Sequence, residues 1–82
     1  MTRYRLPEQL DIRHVADVHR QVAALAAAGG GSLDGAAVTR IDTTGVQLLA
    51  AALAAGIKLE EPAACVQAAF TSLGLAHLLN SQ

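Results

Sequence analysis

Three glycine stops constrain this chain more than any other feature. Gly29-Gly30-Gly31, Gly56 and Gly74 each follow a run of apolar residues at helical spacing. The first run is Val15, Val18, Val22 and Leu25, with Arg13, Asp17 and Arg20 on the opposite face. The second is Val46, Leu49 and Leu53, widened by Leu48 and Ala52; the third is Val66, Ala69, Phe70 and Leu73. Such stripes mark amphipathic helices, and a glycine just beyond each supplies the left-handed conformation of a helix C-cap. Leu75 follows Gly74 and is placed to pack back as the apolar partner of a Schellman-type end.

Short extended segments separate the stripes. Tyr4-Arg5-Leu6, Gln9–Ile12, Ser32–Asp34 and Ile57–Leu59 read as strands, and Val38–Ile41 as an extended approach to the second helix. Pro7-Glu8 suits a turn, and Asp11 is a suitable N-cap for the first helix. The second helix is expected from Thr43 or Thr44 to Ala55. Pro62 is expected in the first turn of the third, preceded by the helix-start charges Glu60-Glu61, and a final turn runs through Leu78 and Leu79. Strands alternating with helices define an α/β layer arrangement with a partly parallel sheet.

The chain of 82 residues is expected to form one domain, residues 1–82, and a domain this small buries only about 60–65% of its unfolded-chain surface. Much of its 52% hydrophobic content is alanine, and Tyr4 and Phe70 are its only aromatics, so the core rests on Leu, Val and Ile. A net charge of -1 with 16% charged residues leaves no basic footprint, which argues against a nucleic-acid partner. The single Cys65 excludes an internal disulfide and fits a reducing compartment. No apolar run reaches the length of a membrane span and none of signal-peptide type follows Met1, so a cytoplasmic protein without direct membrane insertion is expected.

Few residues suggest catalysis. Gly29-Gly30-Gly31 lacks the Lys-Ser/Thr that completes a phosphate-binding loop. His14 and His19 are five apart, off a common helical face, and do not form a zinc pair. Cys65 lies beside an apolar stripe, as a small core residue does. Nothing assembles a nucleophile, a base and oxyanion donors. No enzyme, metal or cofactor is therefore expected.

The chemistry concentrates at Val38–Leu49. A helix N-terminus presents unpaired N–H groups and about half a positive charge, so it welcomes an anion. A hydroxyl there either caps the helix or carries a phosphate that the helix end stabilises. Thr43 and Thr44 compete for the cap. Gly45 either admits a partner backbone or relieves crowding in the first turn, while Arg40 and Gln47 are candidate contacts and Asp34 a strand-end residue with a local hydrogen bond.

Asp42-Thr43-Thr44-Gly45 resembles the Asp-Ser/Thr-x-Gly signature of STAS domains, the fold of bacterial anti-sigma factor antagonists. The resemblance runs from Leu6-Pro7-Glu8-Gln9-Leu10-Asp11-Ile12 to Leu73-Gly74-Leu75. It implies a small mixed sheet of about four strands with a hairpin at its start, and three to four helices packed mainly on one side. It also implies a non-enzymatic, partner-switching module. The unmodified form binds an anti-sigma factor with serine/threonine kinase activity; phosphorylation of the residue after the Asp, here Thr43, releases it, and a phosphatase resets it. Asp42, Thr44 and Gly45 would then shape the docking mouth, with Arg40 and Gln47 at its rim. Compact STAS proteins associated with bacterial chemotaxis and signalling are also similar. The alternative is the STAS subunit that braces the ATPase of a phospholipid-transport ABC complex, where no phosphorylation cycle is needed.

Overall fold

Glycine ends three helices in the same way. A computed structural model describes residues 2–80. Its helices are α1 (Val15–Ala27), α2 (Thr43–Ala54), α3 (Ala64–Ser72) and a short α4 (Ala76–Asn80). After α1, α2 and α3 stand Gly29, Gly56 and Gly74, all at positive φ. Each helix closes with the paired bonds of a Schellman motif. Gly74 N–H donates to Thr71 O at 3.0 Å and Leu75 N–H to Phe70 O at 2.8 Å; Gly56 and Ile57 repeat the pattern on Leu53 and Ala52, and Gly29 and Gly30 on Ala26 and Leu25.

The strands are β1 (Arg3–Arg5), β2 (Gln9–Leu10), β3 (Ser32–Asp34), β4 (Arg40–Ile41) and β5 (Lys58–Glu60). They form two ladders: a three-stranded sheet in the order β1-β3-β5 and the pair β2-β4. Every pairing among them is parallel. The initial hairpin implied by the resemblance is not formed, because β1 and β2 each pair with a later strand. Parallel partners need a crossover, and α1 provides it. The approach before α2 becomes a fifth strand, β4.

Side-chain alternation along the sheet separates its faces. Tyr4, Leu33 and Leu59 stand in register and are buried or half-buried, toward the core. Arg3, Arg5, Lys58 and Glu60 are exposed on the opposite face. There Arg3 pairs with Asp34, Glu60 and Glu61, so Glu60-Glu61 serve the sheet rather than a helix start. Asp34 also accepts the Ala36 N–H, the local bond of a strand-end residue.

The helices cover the apolar face, with α2 touching both α1 and α3. Phe70, Leu10, Leu49 and Val66 are completely enclosed, each worth about 1.5–3 kcal/mol of transfer energy. Cys65 is half-buried and its Sγ donates to the Val38 carbonyl. Three boundaries differ from expectation. The N-cap of α1 is His14, three residues beyond Asp11. Pro62 precedes the N-cap of α3, Ala63, and so stands outside that helix. Leu73 is the C-cap residue of α3 and lies 47% exposed, because the stripe turns outward where the helix ends.

Candidate functional site

The parallel pair β2-β4 delivers two strand-to-helix turns to the same place. Gln9 pairs with Arg40 and Leu10 with Ile41, so the next residues are Asp11 and Asp42, side by side in register. The Asp42 N–H donates to the Leu10 carbonyl, carrying the ladder one step further. Each aspartate then organises a helix start by a different route.

Asp42 is the N-cap of α2, with extended backbone at φ -112° and ψ -177°. Its Oδ1 accepts the Gly45 N–H at 3.1 Å and the Thr44 hydroxyl at 2.5 Å. Its Oδ2 accepts the Ile12 N–H, 30 residues away, at 3.0 Å. The competition between Thr43 and Thr44 for the cap is thus resolved in favour of neither. The Thr44 hydroxyl, the Gly45 N–H and the Ile12 N–H hold the Asp42 carboxyl below its ordinary pKa, against partial burial and the nearby charge of Asp11.

Asp11 is satisfied locally. Its side chain accepts the Arg13 N–H at 3.1 Å and Arg13 Nη2 at 3.0 Å, and lies 2.7 Å from His14 Nδ1. Its carbonyl accepts the N–H groups of His14 and Val15. The Arg13 guanidinium and the His14 ring hold its carboxyl well below the usual carboxylate range. Asp11 therefore shapes the turn ahead of α1 instead of capping the helix.

Thr43 is the first residue of α2 and is exposed. Among the described residues its hydroxyl has no hydrogen-bond partner. It lines a groove with Ile41, Asp42, Val46, Ala69, Ser72 and Leu73. A second groove, with Ile12, Arg13 and Arg40, meets the first at Ile41 and Asp42. Gln47 is exposed one turn along α2, in a third groove shared with Val15, His19 and Leu48 of the α1–α2 seam.

The remaining expected site residue turns inward. Gly45 is buried, and a Cβ there would collide with the Leu10 carbonyl oxygen and stand 2.9 Å from Ile41 Cγ1. Gly45 therefore lets α2 approach its own strands and offers no surface for a partner. Arg40 and Thr43 are both at the site, in different grooves.

A family model described as "Mlab, STAS domain" matches residues 2–80. The chain belongs to the STAS domain family. No curated protein and no solved structure matches it. In this STAS domain the signature residues divide their work: Asp42 and Thr44 build the cap, Gly45 the close packing, and Thr43 alone faces outward.

Two surface residues escape a reading confined to the signature. Ile12 and Leu73, 69% and 47% exposed, are the large hydrophobics left open among the described residues, and they line the two grooves that meet at Asp42. Leu73 is hidden in the sequence by its place in an apolar stripe. Ile12 is hidden by its reading as the end of a strand, whereas β2 stops at Leu10. Among the described residues, no helix is long and apolar enough to cross a membrane.

Proposed function

We propose that this STAS domain is a non-enzymatic protein-docking module whose contact surface centres on Thr43 and whose docking is switched off by phosphorylation there. One observation carries the reading. Thr43 is exposed at a helix N-terminus, its hydroxyl without a hydrogen-bond partner among the described residues, with open apolar residues in the grooves on either side of Asp42. A partner that docks on a neutral hydroxyl and two apolar side chains loses that fit when phosphate arrives. Phosphorylation adds roughly −1.5 to −2 charges beside the ionised Asp42, so docking then meets both repulsion and desolvation. The partner class is an anti-sigma factor or serine/threonine kinase, or a chemotaxis-type signalling protein, in the cytoplasm. Arg40 and Gln47 contribute rim contacts.

Incubation with the cognate kinase and ATP, followed by mapping of the modified residue, tests the switch. Phosphate on Thr43 and release of the partner are expected; a kinase that binds the domain yet leaves Thr43 unmodified removes the mechanism.

A second reading has its own support. The matching model is described as Mlab rather than as an antagonist, and apolar residues beside the hydroxyl also suit a contact that stays covered. The domain would then be a constitutive subunit bracing the ATPase of a phospholipid-transport ABC complex. Co-purification of an ABC ATPase that survives treatment with kinase and ATP favours this reading over the switch.

A further inference from the structure

The Asp42 carboxylate has divided commitments. Both bonds of Oδ1, to the Thr44 hydroxyl and the Gly45 N–H, lie within the first turn of α2. The bond of Oδ2 leaves that helix for the Ile12 N–H, in the turn that precedes α1. One side chain therefore caps the helix that begins with Thr43 and pins the backbone of the most exposed large hydrophobic residue of the site.

We propose that Asp42 couples the two turns, so that a negative charge on Thr43 frees the Ile12 backbone as well as repelling a partner directly. The inference rests on reading Thr43 as the modified residue, but the coupling itself is a property of the isolated domain. Asp42 already stands close to Asp11, whose charge is answered by Arg13 and His14. A second anion, on the adjacent residue 43, adds to that negative charge, with Arg40 of the neighbouring groove as its nearest cation in sequence. It competes for the free N–H groups of the first helical turn and disfavours the Asp42 carboxylate in its present place. The Oδ1 bonds are supported by the helix they start. The Oδ2 bond is exposed and joins segments 30 residues apart, so it yields first. Asp42 is in this sense a positioning residue. It holds Ile12 in a defined place while Thr43 is neutral, and releases it when Thr43 is charged.

Amide hydrogen exchange, read by NMR on the whole chain, tests the coupling in wild type, Thr43→Val and Thr43→Glu. The Ile12 amide is expected to be protected in wild type and in Thr43→Val. In Thr43→Glu it should exchange about tenfold faster, as expected for losing one hydrogen bond to a charged acceptor. The amides of Leu49 and Val66 serve as the folding control and should keep their wild-type rates. If Thr43→Glu also loosens those core amides, enzymatically phosphorylated wild type takes its place under the same criterion. An Ile12 amide that exchanges freely in wild type, or equally in the valine and charged forms, overturns the proposal. The outcome is separable from the kinase test: absence of phosphate on Thr43 defeats the switch and leaves the exchange result standing, whereas a modified Thr43 with Ile12 still protected defeats the coupling alone.

Discussion

The turns before α1 and α2 start alike and end differently. Both come after a two-residue strand of the same ladder, and both open with an aspartate whose carboxyl is held below its ordinary pKa. In the first turn the stabilising groups come from Arg13 and His14, two and three residues on, and α1 begins without a side-chain cap. In the second, the aspartate caps its helix and reaches across to the other turn, and the residue between cap and partner hydroxyl is left outside. Strand pairing sets the two aspartates side by side, but the three residues after each aspartate decide whether the turn closes on itself or offers a surface. Arg and His after Asp11 consume its carboxylate; Thr-Thr-Gly after Asp42 consumes half of it and frees one hydroxyl.

The largest effect that can break this contrast belongs to Gly45. Gly45→Ala drives a Cβ into the Leu10 carbonyl and Ile41, and should destabilise the domain by roughly 2–3 kcal/mol in denaturant melts, the usual cost of overpacking. A melt unchanged from wild type would mean that α2 need not lie this close to β2 and β4. Next comes Asp42→Ala, which removes the α2 cap and the tie between the turns. Its loss of stability should fall between that of Gly45→Ala and that of Thr43→Val, and amide exchange should show fraying confined to the first turn of α2.

Acid provides a graded version of the same experiment. Because both aspartates have folded-state pKa values below their unfolded value of about 3.9, the unfolded chain takes up protons first as pH falls. Their contribution is fully present above that pH and is lost progressively below it. Denaturant midpoints should therefore be steady from neutral pH toward 5 and decline below about 4. Asp11→Asn should flatten that decline; an identical acid slope in the variant would show that its pairing with Arg13 and His14 lacks the strength assigned to it. The smallest effect is expected at Thr43. Thr43→Val touches no hydrogen bond among the described residues and should change stability by no more than about 0.5 kcal/mol. A larger loss would make the hydroxyl structural and close the surface that the second turn is held to offer.

Much of the fold is legible locally. Glycine at 29, 56 and 74 announces the helix ends because the residue just past a helix commonly takes a left-handed backbone, and all three ends carry the bonds that motif requires. Leu75 behaves as expected, donating to Phe70 and packing against the core. The cap of α2 is less legible. Asp, Thr and Thr are all good capping residues, and the extended backbone of Asp42 decides which one acts. The pairing of β1 with β3 rather than β2 has no local signal, since Pro7-Glu8 is compatible with a hairpin and with a chain that moves on to another ladder.

The order of short strands and helices, the glycine stops, and the presence of hydroxyls at a helix start come from residue types and spacing alone, because they depend on conformational preferences within a few bonds. Which aspartate oxygen reaches Ile12, which signature residue is buried against Leu10, and which threonine faces outward were decided only when two parallel strands brought residues 31 apart into register. Register is a property of packing between distant segments, and no single stretch of chain contains it.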